Sequence, residues 1–164
     1  HDRLNKAVGG LLTRRRQCAP LFEQRVPTWD RPRRNPAQDQ DPTERAVLDL
    51  EYGAEGGRRW VDVTVRHPAA GDAAAVLGAS RKDGEATRRA ERSKHERYPG
   101  QQLTAFAVET PGRLGAEARL WLLSEVRQLP PDTQMSELTR AYKVVSNALQ
   151  TEVVRQLRKA AGLR

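Results

Sequence analysis

Residues 46–66 read AVLDLEYGAEGGRRWVDVTVR and carry the clearest secondary-structure signal in the chain. Its two ends, 46–52 and 59–66, are rich in β-branched, aromatic and aliphatic residues, and the segment between them is rich in glycine. Short apolar runs separated by such a turn are typical of a β-hairpin. The sequence therefore predicts two adjacent antiparallel strands joined by a turn that contains Gly53, Gly56 and Gly57.

Each predicted strand carries one acidic residue near its middle. Asp62 alternates with flanking valines, so we expect the valines to face the core and Asp62 to face the opposite side. Asp49 shares a face of the first strand with Val47 and Glu51. Because a carboxylate in mid-strand is costly to bury unless it is paired or bound to a metal, the two acids predict a cation site. The alternative is that Asp62 caps a loop or pairs with Arg45 or Arg59.

The rest of the chain predicts helices around this hairpin. We expect an α/β or α+β class with a small mixed sheet flanked by helices, in one main unit over 1–129. A last helix within 130–164 packs on that unit or extends it, through a stripe of Leu138, Tyr142, Val145, Leu149, Val153 and Leu157. The other predicted elements are a helix at 2–16, a strand at 18–26, an exposed loop at 27–43, a helical stretch from 68 to 98 broken near Gly78 or Gly84, a strand at 103–110 and a helix at 116–128.

Composition points to a polyanionic partner. The chain has 164 residues and a net charge of +8, an excess typical of proteins that meet nucleic acid, although coding bias alone is an alternative source of arginine. No apolar run reaches the ~18 residues of a membrane span, and no signal peptide is recognisable, so we expect no membrane partner. Cys18 is the one cysteine, which predicts a reducing, intracellular compartment and no disulfide framework. The chain begins with His1, which predicts a fragment of a longer polypeptide or a trimmed copy.

A lysine on the helical stretch completes the candidate site. Ala86, Ala90 and Lys94 recur every four residues, so the lysine shares a helix face with two small side chains that can lie close to a sheet. Tyr98 is one turn further along the same face. The neighbouring arginines are usually a solvated face, but they are also candidates for phosphate contacts; they are Arg88, Arg89, Arg92 and Arg97.

Several other residues are weaker candidates. Glu23 and Glu51 are possible additional metal ligands, and His67 either touches a phosphate or is an ordinary loop histidine. His95 is expected to be solvated. The tryptophans are too scattered in sequence to predict a base-stacking platform; they are Trp29, Trp60 and Trp121.

The two acids and the lysine resemble those of restriction-enzyme-like nucleases of the PD-(D/E)xK type. In the usual pattern the lysine stands two residues after the second acid, a position that Thr64 occupies here. One branch is more similar: the endonuclease domain of site-specific non-LTR retrotransposons, with an Asp-Val-Thr-Val strand and a lysine displaced to the next helix, ahead of a tyrosine. Residues 62–65, residues 94–98 and the later run LTAFAVET at 103–110 match that arrangement.

This resemblance implies a restriction-endonuclease-like fold and a DNA endonuclease that depends on Mg²⁺ or Mn²⁺. Asp49 and Asp62 would hold the metal, Lys94 would be catalytic and Thr64 would support them. DNA contacts would come from Arg88, Arg89, Arg92, Arg97 and Tyr98. It further implies a nuclear location, a reverse-transcriptase region elsewhere in the full polypeptide, and His1 as a remnant of an upstream zinc site.

One departure and two rival functions accompany the resemblance. The proline that precedes the first acid in that family is Leu48 here, which makes the assignment of Asp49 less secure but removes no ligand. The main rival is a basic nucleic-acid-binding module without catalysis. A basic structural protein of a ribonucleoprotein would explain the charge but not an acid placed between valines.

Overall fold

The structure is a computed structural model that describes residues 2–33, 42–70, 72–100 and 102–161. Its helices are α1 (Asp2–Arg16), α2 (Ala73–Arg81), α3 (Glu85–Arg97), α4 (Ala116–Val126) and α5 (Pro131–Ala160). Its strands are β1 (Leu21–Arg25), β2 (Arg31–Pro32), β3 (Thr43–Glu44), β4 (Val47–Ala54), β5 (Gly57–Arg66) and β6 (Leu103–Glu109). The predicted α+β class, with a small mixed sheet flanked by helices, is confirmed.

The main sheet has the order β1-β4-β5-β6. Strands β4 and β5 form the predicted antiparallel hairpin, and their ladder runs from Ala54–Gly57 to Leu50–Val61. Strand β5 also pairs in parallel with β6, from Trp60–Leu103 to Arg66–Glu109. Because parallel strands need a long crossover, the helices α2 and α3 lie in the connection between them.

One face of the sheet packs against α1, α4 and α5 to form the main core. Helix α1 contributes Leu4, Val8 and Leu12, whose helical spacing places them on one buried face. They pack with side chains of the sheet and the other two helices, among them Val61, Val63, Phe106, Leu122, Val145 and Leu149. Strand β5 thus turns these two valines toward the core, as the alternation predicted.

A second apolar cluster covers the other face of the sheet. It contains Val26, Ala46, Leu48, Tyr98 and Leu103. Leu48 belongs to this cluster and Leu50 to the main core, although residues two apart in a strand normally share a face. Strand β4 therefore turns at Asp49, and the hairpin ladder ends at the same place.

The segment before the hairpin is more structured than the sequence suggested. Pro27–Trp29 forms one turn of 3-10 helix, and β2 pairs with β3 through Arg31–Glu44 and Pro32–Thr43. The prediction of an irregular loop over 27–43 is wrong for these residues, because proline-rich composition does not reveal which distant segment a strand will pair with, although the residues of the 3-10 turn and β2 are largely exposed as expected. Residues 34–41 lie outside the described part of the chain.

Two helical predictions are also refined. The break in the 68–98 stretch falls at Gly84, whose φ of +73° is left-handed and suits glycine, and not at Gly78. In α5 the buried residues include Ala141, Val145 and Leu149, and Tyr142 and Leu157 of the predicted stripe are exposed. The small side chain of Ala141 faces the core where the pattern favoured the aromatic ring.

Among the described helices, none combines the length and the apolar character needed to cross a membrane.

Candidate active site

Asp49 and Asp62 meet where β4 separates from β5. The β4–β5 ladder ends at Leu50–Val61, and Asp49 reaches β5 through its side chain, which accepts the N–H of Val63, the neighbour of Asp62. The charge of Asp49 acts on the carboxyl group of Asp62, and both residues are buried, with 9% and 5% of their surface exposed. Asp62 lies on the face opposite the valines, as predicted, but that face is covered by α3 and is not open to solvent.

The carboxylate of Asp49 is held by two donors. Its Oδ1 accepts a hydrogen bond of 2.8 Å from Asn5 Nδ2, and its Oδ2 accepts one of 2.6 Å from the backbone N–H of Val63. Asn5 projects from the buried side of α1 and is 6% exposed. Hydrogen bonds to a carboxylate are short and strong, so these two contacts fix the first acid against the second strand.

Lys94 reaches Asp62 from α3. Its Nζ lies 2.5 Å from Asp62 Oδ2, and its side chain is 25% exposed. Ala90, one turn earlier, is 2% exposed, so the face of small residues packs against the sheet as the spacing predicted. The Nζ also lies 5.9 Å from the centre of the Tyr98 ring. The structure thus brings Asp49, Asp62 and Lys94 together from three different elements.

The electrostatics of this group are unusual for aspartate. Burial, above all, raises the pKa of Asp62 to about 6, and the negative charge of Asp49 adds to that effect. The ammonium of Lys94 lowers the pKa of the same carboxyl group but does not cancel the increase. Burial is therefore the dominant influence on Asp62, and the charges of Lys94 and Asp49 act on it in opposite directions.

The two acids suit a magnesium ion better than a metal that needs three or more protein ligands. No three His, Cys, Asp or Glu side chains come together as a metal site in the ranges described above. Mg²⁺ needs fewer protein ligands, because it keeps several waters and is commonly held by one or two carboxylates and substrate phosphates. Glu51 accepts from Trp60 Nε1 and pairs with Arg58, and Glu23 is exposed on β1. Neither supplementary candidate joins the pair.

The predicted DNA-contact residues divide into two groups. Arg88 and Arg92 are exposed, and Arg89 is half-buried beside Glu85. The side chain of Arg97 is only 11% exposed, donates to the carbonyl of Trp29 at 2.7 Å, and lies 4.9 Å from the centre of the Tyr98 ring.

Tyr98 is itself 9% exposed within the second cluster. The structure therefore gives Arg97 and Tyr98 packing roles and leaves Arg88 and Arg92 as the accessible cations of the predicted set.

The remaining predicted residues have structural surroundings. Thr64 is half-buried in β5, two residues beyond Asp62 and paired in register with Ala107. His67 is exposed, and its Nδ1 accepts from Ala69 N at 3.1 Å, as in an ordinary turn. His95 is not simply solvated, because its Nε2 lies 2.8 Å from Glu117 Oε2. His1 lies outside the described residues.

Two features near the site do not follow from the sequence reasoning. Asn5 was overlooked, although it is three residues before Val8 on the apolar face of α1, where a polar residue signals a buried partner. Trp29 and Trp60 are scattered in sequence, yet their ring centres are 5.3 Å apart. Only Trp121 lies elsewhere among the three, packed edge-on against Phe106 in the main core.

Comparison with known proteins yields no relative. No protein-family model matches the chain, and neither the curated proteins nor the solved structures contain a significant match.

Proposed function

We propose that this chain is a Mg²⁺-dependent DNA endonuclease domain, similar in its site residues to the restriction-enzyme-like domain of site-specific non-LTR retrotransposons. The observation that supports the proposal best is the ion pair of Asp62 with Lys94 beside Asp49, whose carboxylate is bound to the N–H of Val63. Two acids and a lysine supplied by two strands and a helix are groups that suit metal-assisted phosphodiester hydrolysis.

Asp49 and Asp62 would be the ligands of the metal. A bound Mg²⁺ would supply Lewis-acid polarisation of the scissile phosphate and lower the pKa of a bound water. Asn5 and the N–H of Val63 each donate to one oxygen of Asp49, and a carboxylate oxygen can accept more than one interaction, so these hydrogen bonds are compatible with a bound cation. The charge of the metal would also favour the ionised form of Asp62, whose pKa is raised mainly by burial.

Lys94 would interact with the scissile phosphate. Its ammonium pairs with Asp62, and it is the most exposed of the three side chains. If the acids held a divalent cation, the ammonium would be available to a phosphate oxygen. There it would offset the negative charge that grows in the transition state, or orient the attacking water.

Exposed arginines on α3 would position the DNA backbone. Arg88 and Arg92 lie on the same helix as Lys94 and are both exposed. Contacts of this kind place a duplex without reading its sequence. They also agree with the net charge of +8. On this proposal DNA is the partner of the domain.

Nicking of supercoiled plasmid tests the proposal. The parent chain is compared in Mg²⁺, in Mn²⁺ and in EDTA, together with Asp62→Ala and the matched surface control Asp132→Ala. We expect Mg²⁺-dependent nicking that falls by at least about a hundredfold in Asp62→Ala, because the metal and its charge stabilisation are removed, and that is unchanged in Asp132→Ala. Asp132 is exposed at the start of α5.

The rival function is nucleic-acid binding without cleavage. The exposed Arg88 and Arg92 and the net charge support it, since neither needs a metal. It predicts equal DNA affinity for the parent and Asp62→Ala and no nicking by either. Equal nicking by both in Mg²⁺ would instead sink the assignment of Asp62 and point to a contaminating nuclease.

A further inference from the structure

A groove beside the candidate active site is lined by two tryptophans. Trp29 and Trp60 line it together with Arg59, Pro99 and Gln102, and its volume is about 390 Å³. We call it the tryptophan groove. A volume of this size lies within the range of pockets that hold small organic ligands. Nothing in the arrangement of Asp49, Asp62 and Lys94 uses it.

The two indoles have fixed orientations. Trp29 Nε1 donates to the carbonyl of Pro99 at 3.0 Å, and Trp60 Nε1 donates to Glu51 Oε2 at 3.2 Å. Their planes meet at 66°, so the rings form a corner and not a stack. Both side chains remain half-buried, with part of each ring accessible in the groove. A flat ligand that stacks on one indole would meet the edge of the other.

The polar residues of the groove suit a nucleotide. Arg59 supplies a cation, and none of its described lining residues is acidic. Gln102 is exposed and carries an amide that can both donate and accept hydrogen bonds. Aromatic faces with a neighbouring cation are the means by which proteins bind unpaired bases without regard to sequence.

The position of the groove relates it to the proposed chemistry. Trp60 precedes Asp62 by two residues on β5 and shares its face, a separation of about 6.6 Å along the strand. Along one DNA strand, successive stacked nucleotides are about 3.4 Å apart. A base in the groove would therefore belong to a nucleotide one or two positions from the phosphate at Asp62.

We propose that the tryptophan groove binds one unpaired base of the DNA strand that enters the active site, so that the preferred substrate is a duplex with a single-stranded tail or flap. The inference rests on the proposed function, because it places this base beside the phosphate to be cut. It extends that function from DNA in general to a junction between paired and unpaired DNA.

Binding in EDTA tests the groove independently of cleavage. The parent chain is titrated with a short blunt duplex and with the same duplex carrying a single-stranded tail. We expect the tailed duplex to bind at least about fivefold more tightly, since stacking of one base on an aromatic ring gives a gain of this size or larger. Trp60→Leu should abolish that preference and keep the affinity for the blunt duplex, whereas Trp60→Phe should retain most of it.

Fluorescence gives a second readout that leaves the groove intact. In Trp121→Phe the two remaining tryptophans are Trp29 and Trp60, so the emission reports on the groove alone. We expect quenching at saturation with the tailed duplex and little change with the blunt duplex. This measurement decides the matter if Trp60→Leu fails to fold.

Three results would overturn the inference: no preference of the parent for the tailed duplex, unchanged emission on saturation of Trp121→Phe, or full preference in a folded Trp60→Leu. Each of them is compatible with Mg²⁺-dependent nicking of plasmid, which would leave the proposed function in place. A preference for the tailed duplex without any nicking would support the groove as a site for an unpaired base and contradict the proposed endonuclease.

Discussion

The carboxylate of Asp49 accepts the backbone N–H of Val63 at 2.6 Å, at the point where the ladder between β4 and β5 ends. The side chain thus takes the place of a backbone carbonyl in binding the neighbouring strand. Since the ladder has ended, β4 can turn around Asp49 and leave room for a carboxylate pair inside the sheet. This relationship explains how two acids are accommodated in the middle of a hairpin.

Asn5 should matter for catalysis without touching the substrate. In Asn5→Ala the Asp49 carboxylate is deprived of its donor on α1, and we expect nicking to fall and unfolding free energy to drop by about 1–3 kcal/mol. Chemical denaturation and plasmid nicking measure the two effects. Asn147→Ala, at an exposed position of α5, is the matched control and should change neither. Unaltered nicking in a folded Asn5→Ala protein would remove Asn5 from the site.

Asp62 should make stability depend on pH in the metal-free protein. Its pKa is raised to about 6 from 3.8, so the folded state binds a proton more tightly than the unfolded state. The stabilisation by that proton is fully present below about pH 4 and disappears as pH rises through about 6. It amounts to at most about 3 kcal/mol, from 1.36 kcal/mol per pH unit.

Asp62→Asn isolates this effect. At pH 7.5 in EDTA the variant should be more stable than the parent, and the difference should shrink as pH falls toward 4. Urea unfolding at several pH values measures it, with Asp132→Asn as the exposed control. A parent and variant that differ equally at all pH values would contradict the raised pKa.

The arginines of α3 should separate into two experimental classes. Arg88→Ala combined with Arg92→Ala should weaken DNA binding and reduce the slope of log affinity against log salt by about 0.9 for each phosphate that is no longer neutralised. Arg97→Ala should instead lower stability by about 2 kcal/mol, because it removes charged hydrogen bonds of a buried guanidinium, and leave that slope unchanged. Binding titrations over a salt series and thermal unfolding separate these outcomes. A slope that falls with Arg97→Ala would make Arg97 a DNA ligand after all.

Gly115 should be intolerant of a side chain. An added Cβ would lie 2.2 Å from Glu91 Oε1, which accepts the N–H of Glu117 at the start of α4. We expect Gly115→Ala to lower the unfolding free energy by about 1–3 kcal/mol. Gly10→Ala is the matched control, because its Cβ meets nothing within 4 Å in helix α1, and it should raise stability by about 0.5–1 kcal/mol. Thermal unfolding of both variants checks the opposite signs.

The strands and the lysine could be predicted because both follow a short period. Alternation around Asp62 and the four-residue spacing that ends at Lys94 each indicate which face a side chain occupies. The residues that cover that face are distant in sequence and cannot be identified from the neighbouring residues. The contact of Asn5 with Asp49 spans 44 residues, and the burial of Arg97 depends on the carbonyl of Trp29, 68 residues away.

The same limit applies to the tryptophans. Their separation along the chain gave no sign that Trp29 and Trp60 lie side by side, yet β1 and β5 belong to one sheet and the turn after β1 brings one ring next to the other. A run of basic residues in the sequence likewise does not show which arginines are buried. Arg88 and Arg97 share one helix, but only the second reaches a buried aromatic cluster.

The connection between β5 and β6 has a consequence for the order of folding. Lys94 lies within that crossover, which is closed by the pairing of Leu103 with Trp60 across more than forty residues of chain. The hairpin needs a much shorter loop, and local contacts generally form earlier than distant ones. A folding chain would therefore bring Asp49 and Asp62 together first, and Lys94 would join them later, when β6 pairs with β5.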